Sequence, residues 1–191
     1  MKNLRKKVGV ISLGCDKNRV DTEKMLALIS EKHDLVSDIE SAEIVIINTC
    51  AFLQSSREEA VYEILSAGQL KAQSGQKIIV TGCLPQRFLS DIKDELVEVD
   101  AFMGVSDYGN ILSVIDRVCK GERVIEVGAP RGECGIKRTL TTDNYAYLKI
   151  ADGCSNHCTY CLIPKIRGVF RSVPMQDLID EASSLGNLNE L

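Results

Sequence analysis

An α/β protein with an N-terminal doubly wound parallel sheet is predicted for these 191 residues by the alternation of short apolar runs with amphipathic segments. The runs are continuously apolar and rich in β-branched residues, as expected for strands covered on both faces. Three of them end alike, at Gly14-Cys15, Thr49-Cys50 and Gly82-Cys83. Open parallel sheets bind ligands outside the carboxyl ends of their strands, so Cys15, Cys50 and Cys83 are expected to converge on one edge.

Lys7 to Leu13 (KVGVISL) is the first strand, and it ends at Gly14-Cys15. From Asp16 the chain reads as helix, with Val20, Met25, Leu26, Leu28 and Ile29 on its apolar face. Leu35-Val36 allows a short strand at best. Glu43 to Asn48 (EIVIIN) is the next strand. Behind it, Ser55 and Ser56 are candidate N-caps of a helix that runs through Val61, Ile64, Leu65 and Leu70 and stops near Ser74-Gly75. Lys77 to Thr81 (KIIVT) is a third clear strand, and Leu84-Pro85-Gln86 opens another helix. Val99 to Val105 and Arg123 to Val127 complete the strands, with a helix from Asn110 to Cys119 between them, stopped by Gly121. Cys119 is placed in the core on this reading.

Gly128 to Asn144 is rich in Gly, Thr and charge and lacks periodicity. It is read as a linker (128–144) after a first domain (1–127), and Cys134 within it as incidental. Tyr145 to Ile150 (YAYLKI) predicts a strand, Leu162 to Val173 a basic loop, and Pro174 to Leu185 a helix. Residues 145–191 therefore amount to one strand–loop–helix unit of a (β/α) barrel, which takes about 250 residues to close. They are expected to be the incomplete start of that second domain, in a fragment of a longer enzyme.

Composition narrows the function classes. With 45% hydrophobic and 26% charged residues the chain matches soluble globular proteins, and its net charge of −4 makes no global case for nucleic acid or an anionic membrane. No apolar run approaches a membrane span. The run after the basic start is about six residues, shorter than a secretory apolar region of ~7–15. A cytoplasmic location is expected, and there the eight cysteines point to metal binding or catalysis rather than disulfides.

The most specific stretch is Ala151 to Cys161 (ADGCSNHCTYC), where Cys154, Cys158 and Cys161 are spaced C-x3-C-x2-C. Four such ligands close a structural zinc site, whereas three thiolates on a [4Fe–4S] cluster leave one iron open. A partial zinc site or plain thiols is the alternative. For Cys15, Cys50 and Cys83 the alternative is buried free cysteine, a common core residue.

The three-cysteine motif, with Tyr160 directly before its last cysteine, resembles the signature of radical S-adenosylmethionine (SAM) enzymes. Together with Ser12 to Asn18 (SLGCDKN), Asn48-Thr49-Cys50, Val80 to Leu84 (VTGCL) and Tyr145 to Gly168, it resembles the methylthiotransferase family of that superfamily. Within the family, Asp16-Lys17-Asn18 and Cys83-Leu84 are closer to the branch that modifies an aspartate of small-subunit ribosomal protein S-twelve than to the tRNA-modifying branch. The resemblance implies an auxiliary [4Fe–4S] cluster on Cys15, Cys50 and Cys83 and a radical SAM [4Fe–4S] cluster on Cys154, Cys158 and Cys161. It further implies SAM as cofactor, Tyr160 beside the adenine, and an electron donor as partner. The implied product carries a methylthio group on the aspartate β-carbon; no catalytic acid or base is identified. Two alternatives stand beside this: a tRNA adenosine methylthiotransferase, and a metal-binding or redox module without radical chemistry. Lys165, Arg167 and Arg171 are expected either to contact SAM or substrate carboxylates or to form a solvated basic loop. His157 is read as a solvated loop residue and His33 as a helix-end residue that suits the dipole.

Overall fold

The computed structural model describes residues 5–131, 137–186 and 188–191. Six strands form one sheet: β1 (Lys7–Ser12), β2 (Asp34–Leu35), β3 (Ile44–Thr49), β4 (Lys77–Gly82), β5 (Ala101–Met103) and β6 (Val124–Glu126). Their order is β2-β1-β3-β4-β5-β6, and every pairing is parallel. The chain steps outward from β1 to β2 and then returns past β1 to β3. The reversal leaves a crevice at the carboxyl ends of β1 and β3, the place where a doubly wound sheet binds ligands.

Four helices cover the sheet: α1 (Asp16–Ser30), α2 (Gln54–Ser74), α3 (Cys83–Ile92) and α4 (Ile111–Cys119). Alternate strand residues feed two separate cores. Val45, Ile47, Ile78, Val80 and Phe102 pack with Ala60, Ile64 and Ala67 of α2 and Leu84 of α3. On the other face Ile44, Ile46, Ile79, Ala101 and Met103 pack with Met25 and Ile29 of α1 and Ile111, Ile115 and Val118 of α4. Burying each of these larger side chains stabilises by about 1.5–3 kcal/mol. The first half of the molecule thus has a complete core.

Several local expectations are corrected. Helix α2 begins one residue before Ser55, with Leu53 at the N-cap position and no side-chain cap, so neither serine caps it. Cys119 is exposed at the end of α4; the helix turns Val114, Ile115 and Val118 inward instead. His33 does sit just past the end of α1, but it is buried, and burial pushes the imidazole below its ordinary pKa, so it accepts a bond from the Lys6 amide (3.4 Å) as a neutral ring instead of charging the helix end. Cys134 lies outside the described residues.

The second half differs most. No strand forms over residues 145–150, which have no neighbouring strand to satisfy both their edges. Tyr145 bridges Glu190, and Ile150 is 62% exposed. A two-residue strand, β7 (Ala151–Asp152), pairs antiparallel with β8 (Arg171–Ser172), and a short helix α5 (Ile163–Ile166) lies between them in the expected basic loop. The final helix, α6 (Met175–Ser184), falls within the expected range.

This second half rests on a polar face of α1 that apolar periodicity does not reveal. Asn18, Asp21, Thr22, Glu23 and Lys24 are all buried. Charge pairs reach its acidic residues: Arg138 lies 3.0 Å from Glu23 and 2.6 Å from Glu181 of α6, and Lys149 lies 2.5 Å from Asp21.

Candidate functional site

Each of the three strand-end cysteines owes its position to the turn that follows its strand. Cys15 occupies the N-cap position of α1, Cys50 follows β3 directly, and Cys83 is the first residue of α3. Cys15 and Cys83 therefore stand at helix N-termini, where unpaired N–H groups favour an anionic centre. The glycines before them are required by geometry. Gly14 (φ 94°) and Gly82 (φ 96°) adopt left-handed conformations, and a Cβ on Gly14 would come within 2.6 Å of the Cys50 Cβ. A Cβ on Gly82 would collide with the Asn48 side chain and approach the Thr49 carbonyl to 2.6 Å.

Asn18 binds these strand ends together. Its amide nitrogen donates to the Leu13 and Thr49 carbonyls, at 3.0 Å each. Its Oδ1 accepts from Arg167 at 2.6 Å and stands 3.8 Å from the Cys83 sulfur. Asn48 answers from β3, donating to the Asn18 carbonyl and to Thr22 Oγ1, both at 2.9 Å. The result is a cavity of about 600 Å³. Cys15, Cys50 and Cys83 all line it, with Phe52, Ile163 and Arg167 among its other walls. The topological expectation that these three cysteines share one edge is met.

Arg167 is buried, contrary to the expectation of a solvated basic loop. Its guanidinium is buried, 2.6 Å from Asp21, 3.4 Å from Asp152 and 3.9 Å from the Cys83 sulfur. Although burial disfavours its charge, Asp21, Cys83 and Asp152 hold it above its ordinary value. Burial pushes the Cys83 thiol up to about 11, against the pull of Arg167, so without a metal this sulfur is protonated at neutral pH. Asp152 is opposed by burial too, yet Arg167, Lys149 and Lys17 hold it below the usual carboxylate range. Arg171 donates to the Arg167 carbonyl (2.9 Å), while Lys165 is exposed.

Cys154, Cys158 and Cys161 lie on the surface loop closed by the β7–β8 ladder. The Cys154 amide donates to the Gly168 carbonyl (3.0 Å) and the Cys161 amide to the Cys158 carbonyl (3.0 Å), which curls the loop back on itself. His157, exposed as expected, takes φ 49°, the one left-handed non-glycine among the described residues. Tyr160 is 87% exposed. Among the described residues, no three Cys, His, Asp or Glu donors are grouped to hold a single metal ion. A [4Fe–4S] cube keeps its cysteines further apart than one ion keeps its donors. Three thiols around a cavity, two of them at helix N-termini and with a buried guanidinium alongside, are a donor set that fits an anionic iron–sulfur group.

Sequence reasoning missed Asn18, Asp21 and Asp152 as parts of this site. Their one signal is polarity at a strand end and on a helix face next to cysteines, which is also the signal of an ordinary solvated surface.

A doubly wound α/β sheet that gathers three thiols at its carboxyl edge, beside a second cysteine-rich loop, defines the class. Residues 7–104, just over half of the chain, match the Uncharacterized protein family UPF0004. The chain belongs to that family. It is also similar to proteins named ribosomal protein uS12 methylthiotransferase RimO. The one from Thermoanaerobacter sp. (strain X514) is 46% identical over 94% of this chain and 42% of its own length. That of Lachnoclostridium phytofermentans is 46% identical over 97% and 44%, and that of Clostridium novyi (strain NT) 42% identical over 96% and 42%. The chain thus spans less than half the length of the curated relatives it matches. No helix among the described residues is long and apolar enough to cross a membrane.

Proposed function

We propose that this chain supplies the two cysteine sites of a radical SAM methylthiotransferase that modifies ribosomal protein uS12 in the cytoplasm. Residues 1–127 form the sulfur-donor domain, 128–144 the linker and 145–191 the start of the radical SAM domain. Cys15, Cys50 and Cys83 ligate an auxiliary [4Fe–4S] cluster, and Cys154, Cys158 and Cys161 ligate the cluster that binds SAM. The observation that carries this reading is the single cavity that joins cysteines from three strand ends to Arg167 of the second cysteine segment.

When bound, two clusters and SAM supply homolytic hydrogen abstraction from an unactivated carbon together with transfer of sulfur and methyl, chemistry that acid–base groups alone do not reach. The chain's own residues position and shield. Asn18 holds the β1 and β3 ends so that Cys15 and Cys50 face one cavity with Cys83. Phe52, Leu53 and Ile163 give that cavity an apolar wall. Arg167 balances anionic charge at Cys83, and exposed Tyr160 is free to stack on the SAM adenine. An external donor supplies the electrons.

The reading is tested on a protein of the relatives' length, incubated with SAM, a reductant and either uS12 or tRNA, and followed by mass spectrometry. A methylthio addition on an aspartate of uS12 is expected. Modified tRNA beside untouched uS12 assigns the other branch, and no addition to either supports a metal or redox module instead.

A further inference from the structure

Among the described residues, Arg167 is the buried cation that reaches both cysteine segments. It belongs by sequence to the second, one residue before Gly168, whose carbonyl accepts the Cys154 amide at 3.0 Å. Its guanidinium nevertheless lies in the first, 2.6 Å from Asn18 and 3.9 Å from the Cys83 sulfur. Asp152, two residues before Cys154, contacts the same guanidinium at 3.4 Å. Lys17, two residues after Cys15, reaches back to Asp152 at 3.4 Å and to the Ala151 carbonyl at 3.3 Å. Asp21 lies between Arg167 (2.6 Å) and Lys149 (2.5 Å), and all three side chains are nearly or largely buried. Such a set is stable only when every charge keeps its partner, so it has one favoured geometry.

We propose that Arg167 is a positioning residue that couples the two cysteine sites, placing a fixed positive charge beside Cys83 and anchoring the backbone that bears Cys154. It acts on no reacting atom. The inference rests on the reading that Cys15, Cys50 and Cys83 hold an iron–sulfur cluster. A cation held in a low-dielectric pocket beside such a cluster stabilises its reduced, more negative state, and so raises its potential. A residue that served only packing would leave that potential alone.

Two measurements on the 191-residue chain test this. In the metal-free protein, Arg167→Gln is expected to speed amide hydrogen exchange over residues 150–172 by roughly tenfold or more, while β3 and β4 stay protected. Unchanged exchange there overturns the anchoring role. In a chain with Cys154, Cys158 and Cys161 all changed to Ala, anaerobic reconstitution loads only the first triad, and its midpoint potential is read by a dye-mediated titration. Arg167→Gln is expected to shift that potential to more negative values, and Arg167→Lys, which keeps the charge but loses the fork, to restore most of it. A Gln variant with the reference potential overturns the coupling and leaves the cluster assignment standing. A reference chain that takes up no iron and sulfide overturns that assignment, and the inference with it. Should Arg167→Gln fail to fold, Arg167→Lys carries the test through its exchange: rates over 150–172 equal to wild type overturn the proposal.

Discussion

At the scale of single residues, Asn18 ties two strand ends of the cysteine edge to the second cysteine segment. It bonds the carbonyls that end β1 and β3 and also the Arg167 guanidinium. Asn18→Ala leaves two carbonyls and a buried cation short of partners, and a loss of about 2–4 kcal/mol in urea unfolding of the metal-free protein is expected. A loss under about 0.5 kcal/mol, typical of a surface position, contradicts its role. His33 sets a pH dependence at the opposite edge. Burial lowers its folded pKa below the ordinary 6.5, so the stability it contributes is present above pH 6.5 and is lost as pH falls through the folded value. Denaturation midpoints measured from pH 7 down to 5 are expected to fall in wild type and to fall less steeply in His33→Gln. Parallel curves would show that His33 does not titrate differently in the two states.

At the scale of elements, the turn from β4 into α3 and the polar face of α1 decide whether the site forms. Gly82→Ala forces a side chain into a left-handed conformation and against β3, at a cost of about 1–3 kcal/mol from the backbone alone. Circular-dichroism melts are expected to show the loss, together with reduced iron uptake by the first triad; a variant with wild-type melting and loading contradicts the close approach. Asp21→Ala breaks a buried pair from one side and is expected to cost about 3–5 kcal/mol. The strands β1, β3 and β4 were legible in the sequence because apolar β-branched runs such as EIVIIN have one physical use, burial on both faces. The strand expected over 145–150 was not, since YAYLKI has the right composition but lacks neighbours to pair with, and tertiary context overrides propensity. The role of α1 was half legible. Val20, Met25 and Ile29 announce its apolar face, while Asp21, Glu23 and Lys24 look like solvent-facing charges until their partners, more than 100 residues away, are placed.

At the scale of the whole molecule, two cysteine segments that are far apart in sequence become one neighbourhood because the doubly wound topology puts three strand ends at one edge and α1 offers the second segment a charged seat. Convergence of Cys15, Cys50 and Cys83 followed from topology alone; the placement of Arg167 between the segments did not, as a basic loop residue has no sequence mark of burial. The central claim is that each segment holds its own iron–sulfur cluster. Iron and acid-labile sulfide, counted per chain after anaerobic reconstitution and desalting, test it most directly. About eight of each are expected for wild type, and about four when either Cys15, Cys50 and Cys83 or Cys154, Cys158 and Cys161 are replaced by Ala. Zinc without sulfide, or an iron content that neither set of replacements lowers, would contradict it.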